Sequence, residues 1–200
     1  MKIDESDLSF SFDSGYKAIK FDDASFYRSF FNQMPGAKGV DIVADSEEII
    51  HFIEIKNCLG HERENRWRTS INNSKIDSAP HDLDVDNRDS LDIEIVKKVT
   101  MSISCLYGAW TKAKQSEKAS DLETYWRGID NNRIQTDKKK IIVTLFLEGD
   151  FDSISKTRTK RMIMKRIQDS ISKKLSWLNC KVFVVDSDTY NDKYFTVNER

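Results

Sequence analysis

Residues 39–57 read Gly-Val-Asp-Ile-Val-Ala-Asp-Ser-Glu-Glu-Ile-Ile-His-Phe-Ile-Glu-Ile-Lys-Asn. Two short apolar runs, 40–44 and 49–56, flank Asp45, Ser46, Glu47 and Glu48, which supply turn chemistry. The stretch therefore predicts a β-hairpin. Side chains two apart on a strand share a face, so Phe52, Glu54 and Lys56 point one way and His51, Ile53 and Ile55 the other. With a loop over 46–49, Asp41 falls opposite Glu54 on the same face. Two carboxylates and an amine then converge at one end of the hairpin. Two carboxylate oxygens, a backbone carbonyl and waters suit a hard cation such as magnesium. Such a cation polarises phosphate and acidifies bound water, and a neighbouring lysine offsets developing negative charge.

Gly39-Val40-Asp41, twelve intervening residues and Glu54-Ile55-Lys56 resemble the motif of the PD-(D/E)XK (restriction-endonuclease-like) nuclease superfamily. Val40 stands where the motif name has proline. The resemblance implies that Asp41 and Glu54 bind Mg2+ (or Mn2+), with the backbone carbonyl of Ile55 as a further ligand. It makes Lys56 the residue that assists the attacking water, and Asp22 or Asp23 an outer ligand. It implies a metal-dependent nuclease that hydrolyses phosphodiester bonds, with DNA ahead of RNA as substrate. It also implies work alongside a protein partner or as a homodimer, as in bacterial defence or DNA-processing systems. The residues alone leave another account open. In it Asp41 is a turn or strand-start residue and Glu54 with Lys56 an exposed ion pair of little energetic worth.

A chain of 200 residues with 38% hydrophobic and 32% charged side chains suits one domain with a full core. No apolar run approaches the ~20 residues needed to cross a bilayer, and the polar, acidic start does not read as a signal peptide. Cys58, Cys105 and Cys180 are odd in number and far apart, which argues for a reducing cytoplasm and against a disulfide framework or a zinc site. Net charge is −1, but residues 1–100 carry 13 Lys/Arg against 20 Asp/Glu and residues 101–200 carry 19 against 13. That asymmetry allows an acidic metal site beside a basic surface.

Outward from the hairpin, alternation over 8–12 reads as an edge strand or a tail that docks late, and over 16–21 as a second short strand. Asp22 or Asp23 caps a helix that runs to Met34, before Pro35-Gly36. Residues 61–68 predict a polar helix in which Arg66 and Arg68 are candidate phosphate contacts and Trp67 either stacks on a base or, the favoured reading, seals the core. His61 reads as a surface residue and Cys58 as packing. The run Asp82-x-Asp84-x-Asp86 evokes a calcium loop but lacks its glycine and correctly spaced glutamate. Residues 90–114 predict the longest helix, with an apolar stripe of Ile95, Val99, Ile103, Leu106 and Trp110. Residues 141–147 predict a strand buried on both faces, 156–177 a basic helix and 181–186 a further strand. This strand–helix–strand unit predicts a parallel crossover.

The expected fold class is therefore α/β: a single domain over 1–200 whose central mixed β-sheet is flanked by helices, with a restriction-endonuclease-like core at about 24–186. Residues 1–15 and 187–200 are peripheral. Lys160, Arg161 and Lys165 on the basic helix are candidate nucleic-acid contacts. Two other function classes stand beside the nuclease. One is a catalytically inactive nuclease-like subunit that binds nucleic acid or a protein partner. The other is a calcium- or partner-binding module built on the acidic loop at 77–92.

Overall fold

The expected hairpin forms with the expected register. Strands β4 (Ile42–Asp45) and β5 (Ile49–Asn57) pair antiparallel, with Ile42 opposite Ile53 and Val43 opposite Phe52. They sit in a five-stranded sheet of order β3-β4-β5-β6-β7. Strand β3 (Lys17–Lys20) joins β4 antiparallel, while β5, β6 (Lys140–Glu148) and β7 (Cys180–Val185) run parallel. A computed structural model provides this architecture and describes residues 1–72, 89–130, 132–152 and 159–200. The acidic run Asp82–Asp86 and the basic residues Lys156 and Arg158 lie outside the described residues.

Helices cover one face of the central sheet. They are α1 (Ser25–Ser29), α2 (Glu62–Asn65), α3 (Leu91–Lys112), α4 (Glu123–Ile129), α5 (Asn132–Gln135) and α6 (Lys160–Lys174). On that face Val43, Ile50, Phe52, Val143, Leu145 and Leu147 pack with Ile95, Val99 and Leu106 of α3 and Ile167 and Ile171 of α6. A polar tie joins the two long helices. The buried Asp92 carboxylate accepts from Lys174 Nζ (2.7 Å), Ser170 Oγ (2.7 Å) and Ser90 Oγ (2.6 Å). As expected, α6 carries the chain between the parallel strands β6 and β7.

The other face departs from the expectation of flanking helices. It is covered by a second sheet, β1-β2-β8, made of β1 (Lys2–Glu5), β2 (Leu8–Ser11) and β8 (Thr196–Glu199). Leu8, Phe10, Phe12 and Phe195 pack on Ile42, Ala44, Ile53, Ile55 and Phe146. The termini, expected at the periphery, thus close the core, because burying their aromatic side chains outweighs the entropy of docking two chain ends.

Helix formation before the hairpin is also weaker than expected. Residues 22–34 give a 3-10 turn (Phe21–Asp23), the five-residue α1 and another 3-10 turn (Phe31–Gln33). Serine, asparagine and aromatic residues are poor helix formers, and neither Asp22 nor Asp23 caps α1. Asp121 caps it instead, its Oδ2 accepting from the Ser25 N–H at 2.6 Å. The edge strands are blunted. Strand β3 carries Lys17 and Lys20, and Gln168 of α6 reaches over to accept from the Val184 N–H of β7 at 3.2 Å. Among the described residues no helix is long and apolar enough to cross a membrane.

Candidate active site

Asp41 stands just before β4, and the ladder register carried one residue further sets it across from Glu54. Its Oδ2 accepts from the Ile55 N–H at 2.7 Å, closing the open end of the hairpin. The N–H and C=O of a strand residue point to the same side, so the Ile55 carbonyl also faces the β4 side. Val40, the residue across, donates its N–H to Ser102 Oγ of α3 at 3.0 Å and not to that carbonyl.

Glu54 is 1% exposed. Its Oε1 lies 2.7 Å from Lys56 Nζ and 2.5 Å from Lys98 Nζ. Lys98 Nζ also lies 3.3 Å from Asp41 Oδ1, so one ammonium is shared by both carboxylates. Glu54 Oε2 is buried with no hydrogen-bond partner. Burial pushes the Glu54 carboxyl up to about 7, against the pull of Lys56 and Lys98. Burial acts against the Lys56 ammonium, but Glu54, Glu94 and Asp41 outweigh it and hold Lys56 protonated well above its ordinary range.

Helix α3 supplies the remaining charges. Glu94 and Lys98 are four apart, so they share one face of the helix, directed at β5. Glu94 Oε1 lies 3.0 Å from Lys56 Nζ, and its Oε2 is bound by Arg68 Nη2. Burial would raise the Glu94 carboxyl, but Lys56, Arg68 and Lys98 together hold it down at about 2. The expected trio of Asp41, Glu54 and Lys56 is therefore brought together. Glu94 and Lys98, which the sequence reading missed, complete it. Their signal was present: two charges set inside the apolar stripe of a long helix.

The other candidates fall in two places. Arg68 is buried, bound to Glu94 and to the Asp89 carbonyl (3.3 Å). Arg66 Nη1 donates to the carbonyls of Phe151 and Asp152 at 3.1 and 3.0 Å. Arg68 lines a cleft of about 400 Å³ together with Lys38, Lys56, Asn57, Asn65 and Glu94. Lys160 pairs with Asp186 at 2.6 Å, Lys165 with Asp169 at 2.5 Å, and Arg161 is exposed. These three line a second cleft, of about 550 Å³, with Asp186 and Asp188. Asn57 pairs in register with Glu148, so the two clefts open at the same end of the parallel strands. Arg28 holds Asp23, and Asp22 is exposed beside Phe21, whose N–H donates to the Asp41 carbonyl at 2.8 Å. Trp67 and Cys58 are core residues, and His61 is an exposed partner of Glu64.

A hard cation fits this donor set. The two carboxylates already share one cation position, and Glu54 Oε2 is a buried oxygen in want of a partner. Among the described residues no three His, Cys, Asp or Glu side chains gather as a ready-made metal cluster. The ligand set would be two carboxylates, a carbonyl and waters.

A family model matches residues 24–199, from α1 through β8 and including all the residues of this site. The chain belongs to DUF6661, a family of unknown function. No curated protein matches the DUF6661 chain. No solved structure matches it either.

Proposed function

We propose that this chain is a metal-dependent nuclease of the PD-(D/E)XK type. The observation that carries the reading is the convergence of Asp41 and Glu54 on one cation position, with Lys56 bonded to Glu54. Asp41, Glu54 and the Ile55 carbonyl would hold Mg2+ or Mn2+. When bound, that ion supplies a polarised phosphate and an acidified water. Lys56, held as a cation by its carboxylate neighbours, orients the nucleophile and offsets charge on the phosphorane-like transition state. Glu94 keeps Lys56 in place from the opposite side. DNA is the first substrate to test and RNA the second. The backbone would run from the cleft at Lys56 toward Lys160, Arg161 and Lys165 at the same sheet end, past Arg66 and Arg68.

A second reading, a nuclease-like subunit that binds nucleic acid or a protein partner without cutting, is favoured by one observation. Lys98 already neutralises both carboxylates. Purified chain incubated with plasmid, linear and single-stranded DNA and with RNA, under Mg2+, Mn2+ or EDTA, separates the two. The nuclease reading expects metal-dependent cutting that Glu54→Ala and Lys56→Ala each reduce by at least about 100-fold. Cutting that persists in both variants, or nucleic-acid binding without cutting under every metal, refutes it.

A further inference from the structure

We infer that Lys98 is a tethered counter-ion that occupies the cation position between Asp41 and Glu54 and yields it to a divalent metal. The inference rests on the metal-site reading above and adds how that site is filled. Lys98 Nζ touches Glu54 Oε1 at 2.5 Å and Asp41 Oδ1 at 3.3 Å, the two carboxylates that would hold the metal. Among the described residues the ion pairs at this site link three acids, Asp41, Glu54 and Glu94, to three bases, Lys56, Lys98 and Arg68. Within this set of ion pairs Lys98 fills the position between the two carboxylates, so a divalent ion bound there must displace it.

Of the three bases, Lys98 is the one whose ion pairs are with both proposed metal ligands. Arg68 is buried, with donors to Glu94, Asn65 and the Asp89 carbonyl. Lys56 stands on the central strand β5 between Glu54 and Glu94. Lys98 reaches both proposed metal ligands from a helix, on a four-carbon stem with three rotatable donors. Its side chain is 14% exposed and that of Lys56 20%, so both touch water, and the pairing with both carboxylates is what singles out Lys98. With the ammonium in place the two carboxylates are held together in the absence of metal, at a pairing that a like-charged ion must break. Metal and Lys98 therefore bind the same carboxylates in competition, and each weakens the other by the same factor.

Calorimetric titration of Mn2+ alone into the full chain, without nucleic acid, tests this. The proteins are wild type, Lys98→Met, Lys98→Gln and Lys98→Arg, with Glu54→Ala as the site control. Thermal melting establishes that each variant is folded, and Lys98→Gln carries the test should Lys98→Met fail to fold. The competition expects Lys98→Met and Lys98→Gln to bind Mn2+ about tenfold or more tighter than wild type. Lys98→Arg, which keeps the charge, should stay near wild type, and Glu54→Ala should lose the binding. A merely structural Lys98 would lower the melting temperature without raising metal affinity. Equal or weaker Mn2+ binding in the neutral variants overturns the counter-ion role and leaves the metal reading standing. Absence of Mn2+ binding in every protein overturns both.

Discussion

His51, on the central strand β5 of the sheet, makes folding sensitive to acid by an amount that can be worked out. The ring is fully buried, with Nε2 2.7 Å from Thr144 Oγ1 and Nδ1 without a partner. Tyr194 and Phe195 wall it in, at ring-centroid distances of 5.6 and 5.8 Å. Burial alone depresses its pKa from 6.5 to about 3. The unfolded chain therefore takes up a proton near pH 6.5 that the folded chain refuses until about pH 3. Stability from this group is complete above pH 6.5 and is lost as pH falls toward 3. Linkage over that window costs about 2 kcal/mol at pH 5 and about 3 kcal/mol at pH 4. His51→Gln removes the titration and keeps an amide within reach of Thr144. Urea denaturation of both proteins at pH 8 and pH 5 provides the assay. Wild type should lose about 2 kcal/mol more than His51→Gln between those two pH values. The carboxylates shared by the two proteins cancel in that comparison. Equal losses would refute the claim that His51 is held neutral.

Two further outcomes follow from the site's surroundings. A methyl group at Gly39 would lie 2.8 Å from Phe21 Cδ1 and 3.2 Å from Tyr27 Cε2, so Gly39→Ala should cost about 1–3 kcal/mol in urea unfolding and displace the segment that carries Asp41; an unchanged midpoint would contradict the packing described. Replacing Arg161 and Lys165 together by alanine should weaken nucleic-acid binding and reduce the slope of log affinity against log salt by about 2 for a duplex, read by fluorescence anisotropy at several salt concentrations; an unchanged slope would remove α6 from the interface.

The hairpin was legible because its signals are local. Alternation, a polar turn and the Asp41-to-Glu54 spacing fix a register, and the register alone sets the carboxylates across from one another. The buried strand β6 and the crossover to β7 were legible for the same reason. Glu94 and Lys98 were harder: they lie 40 and 44 positions beyond Glu54, and only the packing of α3 on the sheet tells which charged residues of that helix face inward. The pairing of the second sheet was illegible: alternation marks the segment at 8–12, but nothing local tells that β2 finds its partner β8 at the far end of the chain. The short α1 fails for an energetic reason. Aromatic spacing predicted a helix through Met34, but packing of Phe21, Phe26, Tyr27 and Phe31 is satisfied by broken turns that low helix propensity does not resist.

Gln168 gives the sheet a polarity of growth. Its side-chain amide stands where the next strand beyond β7 would place a carbonyl, so an incoming strand must first evict it and leave α6 without that hold on the sheet. At the opposite rim Lys17 and Lys20 would set charge against any added strand, and Lys20 is already drawn to Glu5 of the small sheet at 2.7 Å. A five-stranded sheet closed in this way at both rims resists extension by copies of itself. High local concentration would then not join the central sheets of neighbouring chains edge to edge.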